Sequence, residues 1–192
     1  VRVSNYIDQM FAKYAPAPFL SVVIEDCIQK GKDYYNAGPR YNTSYIQCTG
    51  LGTITDSLSV LKKHVFEERN FSMETLLDAL SKNFEGREAL RQRIINRTPF
   101  FGNDDEYADS IAVWVYNDLL AAIDGKPNVK GGQYHLNMLS TTCHVYFGKV
   151  LGATPNGRFS GKSISDGTSP SHGCDTHGPT HVISSLGKLD QI

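Results

Sequence analysis

The sequence predicts an α/β fold in which a mainly helical region, residues 1–130, precedes a strand and a long loop within residues 131–192. Apolar residues recur at helical spacing through the first region, as they do in residues 7–14. In residues 133–147, apolar and polar residues alternate and Thr, Val and Tyr are frequent, which is typical of a strand. Residues 152–181 are rich in Gly, Ser, Thr, Pro, Asp and His without a hydrophobic period, which indicates a loop.

About six helices are predicted before residue 130, and several have a start or a stop that their residue types favour. Pro16 and Pro18 end the first helix and open the second, which Gly31 closes. The hydroxyls of Thr53 and Ser72 are expected to cap two later helices. The predicted helices cover residues 4–14, 18–30, 53–65, 72–85, 87–96 and 104–124.

Two segments have strand character. Residues 43–48 form a short candidate strand, and residues 133–147 form the stronger one, in which Tyr134, Leu136 and Met138 alternate with polar residues. A lone interior strand leaves its edge groups without hydrogen bonds. We therefore expect its partner strands to come from outside this chain.

Composition excludes two classes of function. Nineteen Lys and Arg residues oppose twenty Asp and Glu residues, and the net charge of −1 leaves no basic excess to neutralise nucleic-acid phosphates. No apolar run reaches the length of about 18 residues that a bilayer requires, so no membrane association is expected. Cys27, Cys48, Cys143 and Cys174 form no CxxC pair, which favours reduced thiols in a cytoplasmic protein.

Two polar stretches resemble binding motifs without meeting their requirements. Residues 157–163 (GRFSGKS) are one residue shorter than a phosphate-binding loop, and no helix is predicted directly after them. A single loop carries five potential metal ligands, whereas a zinc site usually draws ligands from two elements. They are His172, Cys174, Asp175, His177 and His181. We therefore predict a polar connecting or active-site loop here, and no metal site.

Ten short stretches together resemble the dehydratase and lyase branch of the glycyl radical enzymes. Each is weakly specific alone, but the combination is very specific and extends over essentially all 192 residues. The stretches are 15–21 (APAPFLS), 26–27 (DC), 40–42 (RYN), 52–58 (GTITDSL), 98–104 (TPFFGND), 124–127 (DGKP), 141–148 (TTCHVYFG), 152–158 (GATPNGR), 165–170 (SDGTSP) and 178–180 (GPT).

The resemblance implies a fold and a position within it. The family fold is a ten-stranded α/β barrel of two antiparallel half-barrels, surrounded by helices. Residues 1–192 would then be a fragment of a single catalytic domain of the pyruvate formate-lyase type, from its second half-barrel. The first residue is Val1 and not Met, which agrees with a piece of a longer enzyme.

The resemblance also implies a radical mechanism whose carriers lie outside this chain. In the family, a glycine radical generates a cysteine thiyl radical, which abstracts hydrogen from a small substrate, and a leaving group departs. The GCxE and RVxGY motifs that carry these radicals are absent: residues 172–175 read HGCD, and residues 1–6 place Asn5 where the glycine is required. We therefore expect no catalytic residue here and an inactive isolated fragment. An S-adenosylmethionine-dependent iron–sulfur activase would install the radical in the full-length enzyme, expected to be a homodimer.

Two threonines are the predicted substrate contacts. A strand over residues 137–146 would project toward the barrel centre, where the hydroxyl of Thr141 or Thr142 can bond a substrate carboxylate or hydroxyl. A cross-strand threonine pair is the competing structural interpretation. Residues 141–148 are most similar to hydroxyproline dehydratases, with glycerol and diol dehydratases, choline lyases and sulfonate lyases as alternatives.

Two hypotheses from other classes stay open. The chain can be a non-catalytic binding or assembly module whose strand pairs with a partner chain. It can also be a metal-binding domain centred on residues 172–181, which metal analysis of the purified chain would test.

Overall fold

Helices dominate the computed structural model, which describes residues 1–190. No helix within that range is both long and apolar enough to cross a membrane. In chain order the elements are α1 (Arg2–Tyr14), α2 (Pro18–Ser21), α3 (Glu25–Lys30), β1 (Ser44–Gln47), α4 (Leu51–Val60) with a π-helical continuation (Leu61–Glu67), α5 (Met73–Ser81), α6 (Glu88–Arg97), α7 (Glu106–Ile123), β2 (Tyr134–Asn137), α8 (Cys143–Val150) and α9 (Pro179–Leu186).

The first of two compact units combines residues 1–47 with residues 119–137. β1 and β2 pair in parallel within it, with Ser44 opposite Tyr134 at the first position. The side chain of Asn128 donates a hydrogen bond to the Ser44 hydroxyl (3.0 Å), which holds the loop before β2 against β1. The short strand predicted at residues 43–48 is confirmed, whereas the expectation that the later strand finds its partners outside the chain is wrong for one edge of β2.

The second unit combines Cys48–Asp118 with the described part of the chain from Met138 onward, and it holds an aliphatic and aromatic core. Helices α4, α5 and α6 contribute most of this core because their apolar residues recur at helical spacing. Ser72 caps α5 as predicted, its hydroxyl accepting from the Thr75 N–H at 3.2 Å. The buried core residues are Val60, Leu76, Ala79, Phe84, Ile94 and Phe100.

The strand predicted over residues 133–147 is wrong beyond Asn137, because Cys143–Val150 form α8. Gly148 allows this helix to pack closely: a Cβ at this position would lie 2.3 Å from the Lys162 carbonyl oxygen, so only a residue without a side chain lets α8 approach that backbone. The Thr, Val and Tyr residues in this stretch favour a strand only weakly, and tertiary packing overrides that preference.

Two further sequence expectations also differ from the structure. Helix α4 begins at Leu51, after Gly50 at φ +89°, so Thr53 lies inside the helix and does not cap it. The loop predicted over residues 152–181 ends earlier, because α9 begins at Pro179, a residue type favoured in the first turn of a helix.

Candidate functional site

Thr141 and Thr142 lie in a polar turn, residues 140–142, which we call the threonine turn and which leads directly into α8. The Thr141 hydroxyl contacts the Cys143 thiol, with 2.7 Å between Oγ1 and Sγ. Thr142 is exposed at the N-terminus of α8, and within residues 1–190 its hydroxyl makes no capping hydrogen bond to the helix. The exposed hydroxyl of Thr142 is therefore the more accessible of the two predicted substrate contacts.

The backbone of Thr141 is fixed by two side chains that the sequence analysis did not single out. Its N–H donates to Asp166 Oδ1 at 3.2 Å, and its carbonyl accepts from His144 Nδ1 at 2.6 Å. Because Nδ1 donates to a carbonyl, it carries the proton in this arrangement, and the lone pair of a neutral ring lies on Nε2. His144 Nδ1 also lies 3.5 Å from Asp166 Oδ1. The N–H and the carbonyl of Thr141 are thus both held by side chains.

A second turn, residues 164–167, packs directly behind the threonine turn, and we call it the supporting turn. Gly167 has φ +46°, and a Cβ there would lie 2.3 Å from the Met138 carbonyl oxygen. The Ile164 N–H donates to the His144 carbonyl at 3.4 Å. The supporting turn therefore contacts the chain on both sides of the threonine turn, at Met138 and at His144. A side chain at residue 167 would force the contact at Met138 apart.

Asp56 on α4 is a buried acid that connects two of the family-like stretches, residues 52–58 and 98–104. Its Oδ1 accepts from the Phe101 N–H at 2.8 Å, whereas Oδ2 has no aligned hydrogen-bond donor in the described part of the chain. Burial raises the pKa of Asp56 to about 7, although the neighbouring Ser171 hydroxyl and the Phe101 N–H favour the charged form. Burial also raises the pKa of the Cys174 thiol to about 12, with smaller contributions from the charges of Asp56 and Asp175.

A cleft of about 440 Å³ is lined by basic and polar groups of the second unit. Its arginines are engaged by the protein: Arg91 Nε donates to the Gly157 carbonyl at 2.7 Å, and its guanidinium lies 4.0 Å from the centre of the Phe159 ring. Arg158 donates to the Thr154 hydroxyl and to the carbonyls of Gly152, Phe159 and Lys162. Arg158 thus organises residues 152–162, and Arg91 holds the same segment at Gly157.

The two motif-like stretches lie mostly outside regular secondary structure, although His181 lies on α9. No helix follows residues 157–163 directly, so the helix N-terminus that a phosphate-binding loop requires is not present at that point. The rings of His177 and His181 pack edge to face at 5.4 Å. Across residues 1–190, no three His, Cys, Asp or Glu side chains are arranged to hold a metal ion.

The threonine turn presents polar hydroxyls on a supported backbone, next to Cys143 and His144 of α8. The chain has a mixed α/β fold. The model of the pyruvate formate lyase-like family matches residues 1–148. The chain belongs to this family.

Comparison with known proteins gives similar relatives among the dehydratases. The chain is 52% identical over 186 residues to trans-4-hydroxy-L-proline dehydratase of Clostridioides difficile, covering 97% of this chain and 24% of that protein. The crystal structure of the C. difficile hydroxyproline dehydratase with its substrate bound superposes with a TM-score of 0.91 and 51% identity, over 97% of this chain and 24% of that one. The B12-independent glycerol dehydratase of Clostridium butyricum gives 0.89 and 39%, over the same shares. This chain therefore spans about a quarter of the length of these relatives.

The structure adds His144, Asp166 and Gly167 to the two predicted threonines. His144 lies within the TTCHVYFG stretch and the other two within SDGTSP, so the resemblance contained these residues but assigned no role to them. A glycine flanked by polar residues is a sequence signal of close backbone approach, although it does not identify which backbone approaches.

Proposed function

We propose that this chain is a segment of a glycyl radical dehydratase that removes water from a small polar substrate, most similar in activity to trans-4-hydroxy-L-proline dehydratase. The observation that carries the proposal is the 52% identity to that enzyme, which extends over 97% of this chain. Glycerol or 1,2-diol dehydration, choline cleavage and sulfonate cleavage are the alternatives within the family. The glycerol alternative has the support of a TM-score of 0.89 to a glycerol dehydratase.

The exposed apolar side chains support incorporation into a larger domain. Single exposed apolar residues are ordinary, but contiguous apolar faces usually contact another protein surface. We propose that the remainder of a longer chain covers these faces, and that together they form a ten-stranded barrel with surrounding helices. In the first unit the exposed residues on α1 include Val3, Tyr6, Ile7, Phe11 and Tyr14, and on α8 of the second unit they include Val145, Tyr146, Phe147 and Val150.

The radical chemistry is assigned to other parts of the longer chain. In this proposal, a thiyl cysteine abstracts hydrogen from the substrate, and the adjacent hydroxyl takes a proton from an acid outside this segment and leaves as water. The product radical then takes hydrogen back from the cysteine thiol, which regenerates the thiyl radical. A radical S-adenosylmethionine activase generates the glycine radical, and the assembled enzyme is a cytoplasmic homodimer. The role of the present segment is to bind and orient the substrate.

Thr142 and Thr141 are the proposed substrate contacts. The exposed Thr142 hydroxyl can donate to a substrate carboxylate or accept from a substrate hydroxyl. Thr141 is half-buried, and its hydroxyl already contacts the Cys143 thiol, so we assign it the secondary role. Exposure and not strand alternation sets this order, because residues 143–150 are helical.

The proposal is tested with the full-length enzyme that contains this segment. The enzyme is activated anaerobically by its radical S-adenosylmethionine activase, and the glycyl radical is quantified by electron paramagnetic resonance. Trans-4-hydroxy-L-proline, glycerol, propane-1,2-diol, choline and isethionate are then supplied separately, and products are measured. Turnover of hydroxyproline above the others supports the proposal. Preferred turnover of another substrate selects an alternative, and a radical-bearing enzyme that converts none of them contradicts the proposed chemistry.

A further inference from the structure

We propose that the supporting turn positions the threonine turn, so that Asp166 and Gly167 determine substrate selectivity without touching the substrate. This inference rests on the proposed function, because it assigns the position of the proposed substrate contacts to residues behind them. It makes Asp166 and Gly167 positioning residues.

Gly167 lies against the chain that leads into the threonine turn, and no space is left there for a side chain. A Cβ on residue 167 would lie 2.3 Å from the Met138 carbonyl oxygen and 3.3 Å from the Ser140 hydroxyl oxygen. Carbon and oxygen atoms that are not bonded do not approach to 2.3 Å, so any side chain here must displace the chain that leads into the threonine turn. The backbone position of Thr141 and Thr142 therefore depends on residue 167 being glycine.

Asp166 fixes the orientation of the same turn. Its Oδ1 accepts the Thr141 N–H at 3.2 Å and lies 3.5 Å from His144 Nδ1, while His144 Nδ1 donates to the Thr141 carbonyl. The Asp166 carbonyl accepts from the Ser169 N–H at 2.6 Å, which closes its own turn. The Asp166 carboxylate thus holds the Thr141 N–H directly and lies beside the imidazole that holds the Thr141 carbonyl.

The supporting turn is itself held by a buried helix. The Ser165 N–H donates to Thr53 Oγ1 at 2.8 Å, and the Thr53 N–H donates to Ser165 Oγ at 3.0 Å. The Thr49 hydroxyl donates to the Ser165 carbonyl at 3.0 Å. Ser165 and Thr53 are both buried, so these hydrogen bonds are costly to break. The threonine turn therefore rests on a rigid support and not on a mobile loop.

The test compares two glycine substitutions in the full-length, activated enzyme. Gly167→Ala introduces the clash, whereas Gly161→Ala is the matched control: residue 161 also has positive φ (+76°), but its added Cβ meets no atom within 4 Å. We expect Gly167→Ala to lower kcat/KM for hydroxyproline by about 10- to 100-fold, mainly through KM, and to change the ratio between hydroxyproline and glycerol turnover. Glycyl radical yield should match that of the wild type in both variants, and Gly161→Ala should keep wild-type selectivity.

A second pair of variants keeps the test valid if Gly167→Ala does not fold. Asp166→Ala removes the acceptor of the Thr141 N–H, whereas Asp166→Asn keeps an oxygen in that position. We expect Asp166→Ala to raise KM and Asp166→Asn to recover most of the loss. Unchanged KM and selectivity in both Gly167→Ala and Asp166→Ala, in an active enzyme, would overturn this inference alone. Equal losses of kcat/KM in Gly167→Ala and Gly161→Ala would also overturn this inference. A wild-type enzyme that is inactive on every substrate would overturn both this inference and the proposed function.

Discussion

Replacing Asp56 with Asn is expected to remove most of the pH dependence of folding stability between about pH 4 and pH 7. Burial raises the pKa of Asp56 in the folded chain to about 7, whereas an unfolded aspartate titrates near 3.9. The folded state therefore holds this proton more tightly than the unfolded state. The stability it contributes is complete below about pH 4 and is lost as the pH rises to about 7.

The size of the effect follows from the two pKa values. A difference of about three pKa units corresponds to a loss on the order of 4 kcal/mol across this range, at about 1.4 kcal/mol per unit. In Asp56→Asn the side-chain oxygen still accepts the Phe101 N–H, and the amide does not titrate. The free energy of unfolding in urea, measured on the purified chain at several pH values between about 4 and 8, reports the difference.

Asp118→Asn is the matched control because Asp118 is exposed and undergoes the same chemical change. We expect the control to keep the wild-type slope of stability against pH and Asp56→Asn to flatten it. Equal slopes in wild type and Asp56→Asn would refute the assignment of a buried, proton-binding acid to this position.

Three further outcomes are expected. Thr142→Val in the activated full-length enzyme should raise KM for hydroxyproline by about 10-fold through loss of one hydrogen bond. The control Thr180→Val on α9 should not raise KM. Equal KM values in Thr142→Val and the wild type would exclude a Thr142 contact. Ile94→Ala should lower the free energy of unfolding by about 2–5 kcal/mol, because Ile94 is fully buried, and Ile183→Ala, at 69% exposure, should change it far less in the same urea titration. Ser72→Ala should cost about 1 kcal/mol by thermal or urea denaturation, and no loss would contradict its role as the α5 cap.

Sequence reasoning located most of the helices before residue 130 because their signals are local, although the helix predicted over residues 18–30 is divided into α2 and α3. Apolar spacing and cap residues act within one or two turns, and Ser72 forms the capping bond that its position predicts. Thr53 offered the same local signal, but its hydroxyl accepts the N–H of Ser165, more than a hundred residues along the chain. A capping residue and a long-range acceptor are indistinguishable by residue type.

For the threonine turn, the sequence predicted the residues but not their geometry. Thr141 and Thr142 were predicted on a strand, and the structure places them in a turn before a helix. The decisive feature is Gly148, whose backbone lies against Lys162, a contact that alternation in residues 133–147 does not encode. The pairing of Asp166 with Thr141 and His144 also arises from distant segments, so the residue types identified a polar region but not its geometry.

The parallel pairing of β1 with β2 has a consequence for the order of folding. The paired residues are about 90 positions apart, and all of the helices from α4 to α7 lie between the strands in sequence. Closing a loop of that length costs about 2 kcal/mol more entropy than closing a ten-residue hairpin. The four residue pairs of this short sheet contribute little stabilisation to offset that entropic cost. We therefore expect the helices between the strands to form first and to shorten the effective distance, so that the sheet is among the last elements to form and the first to open.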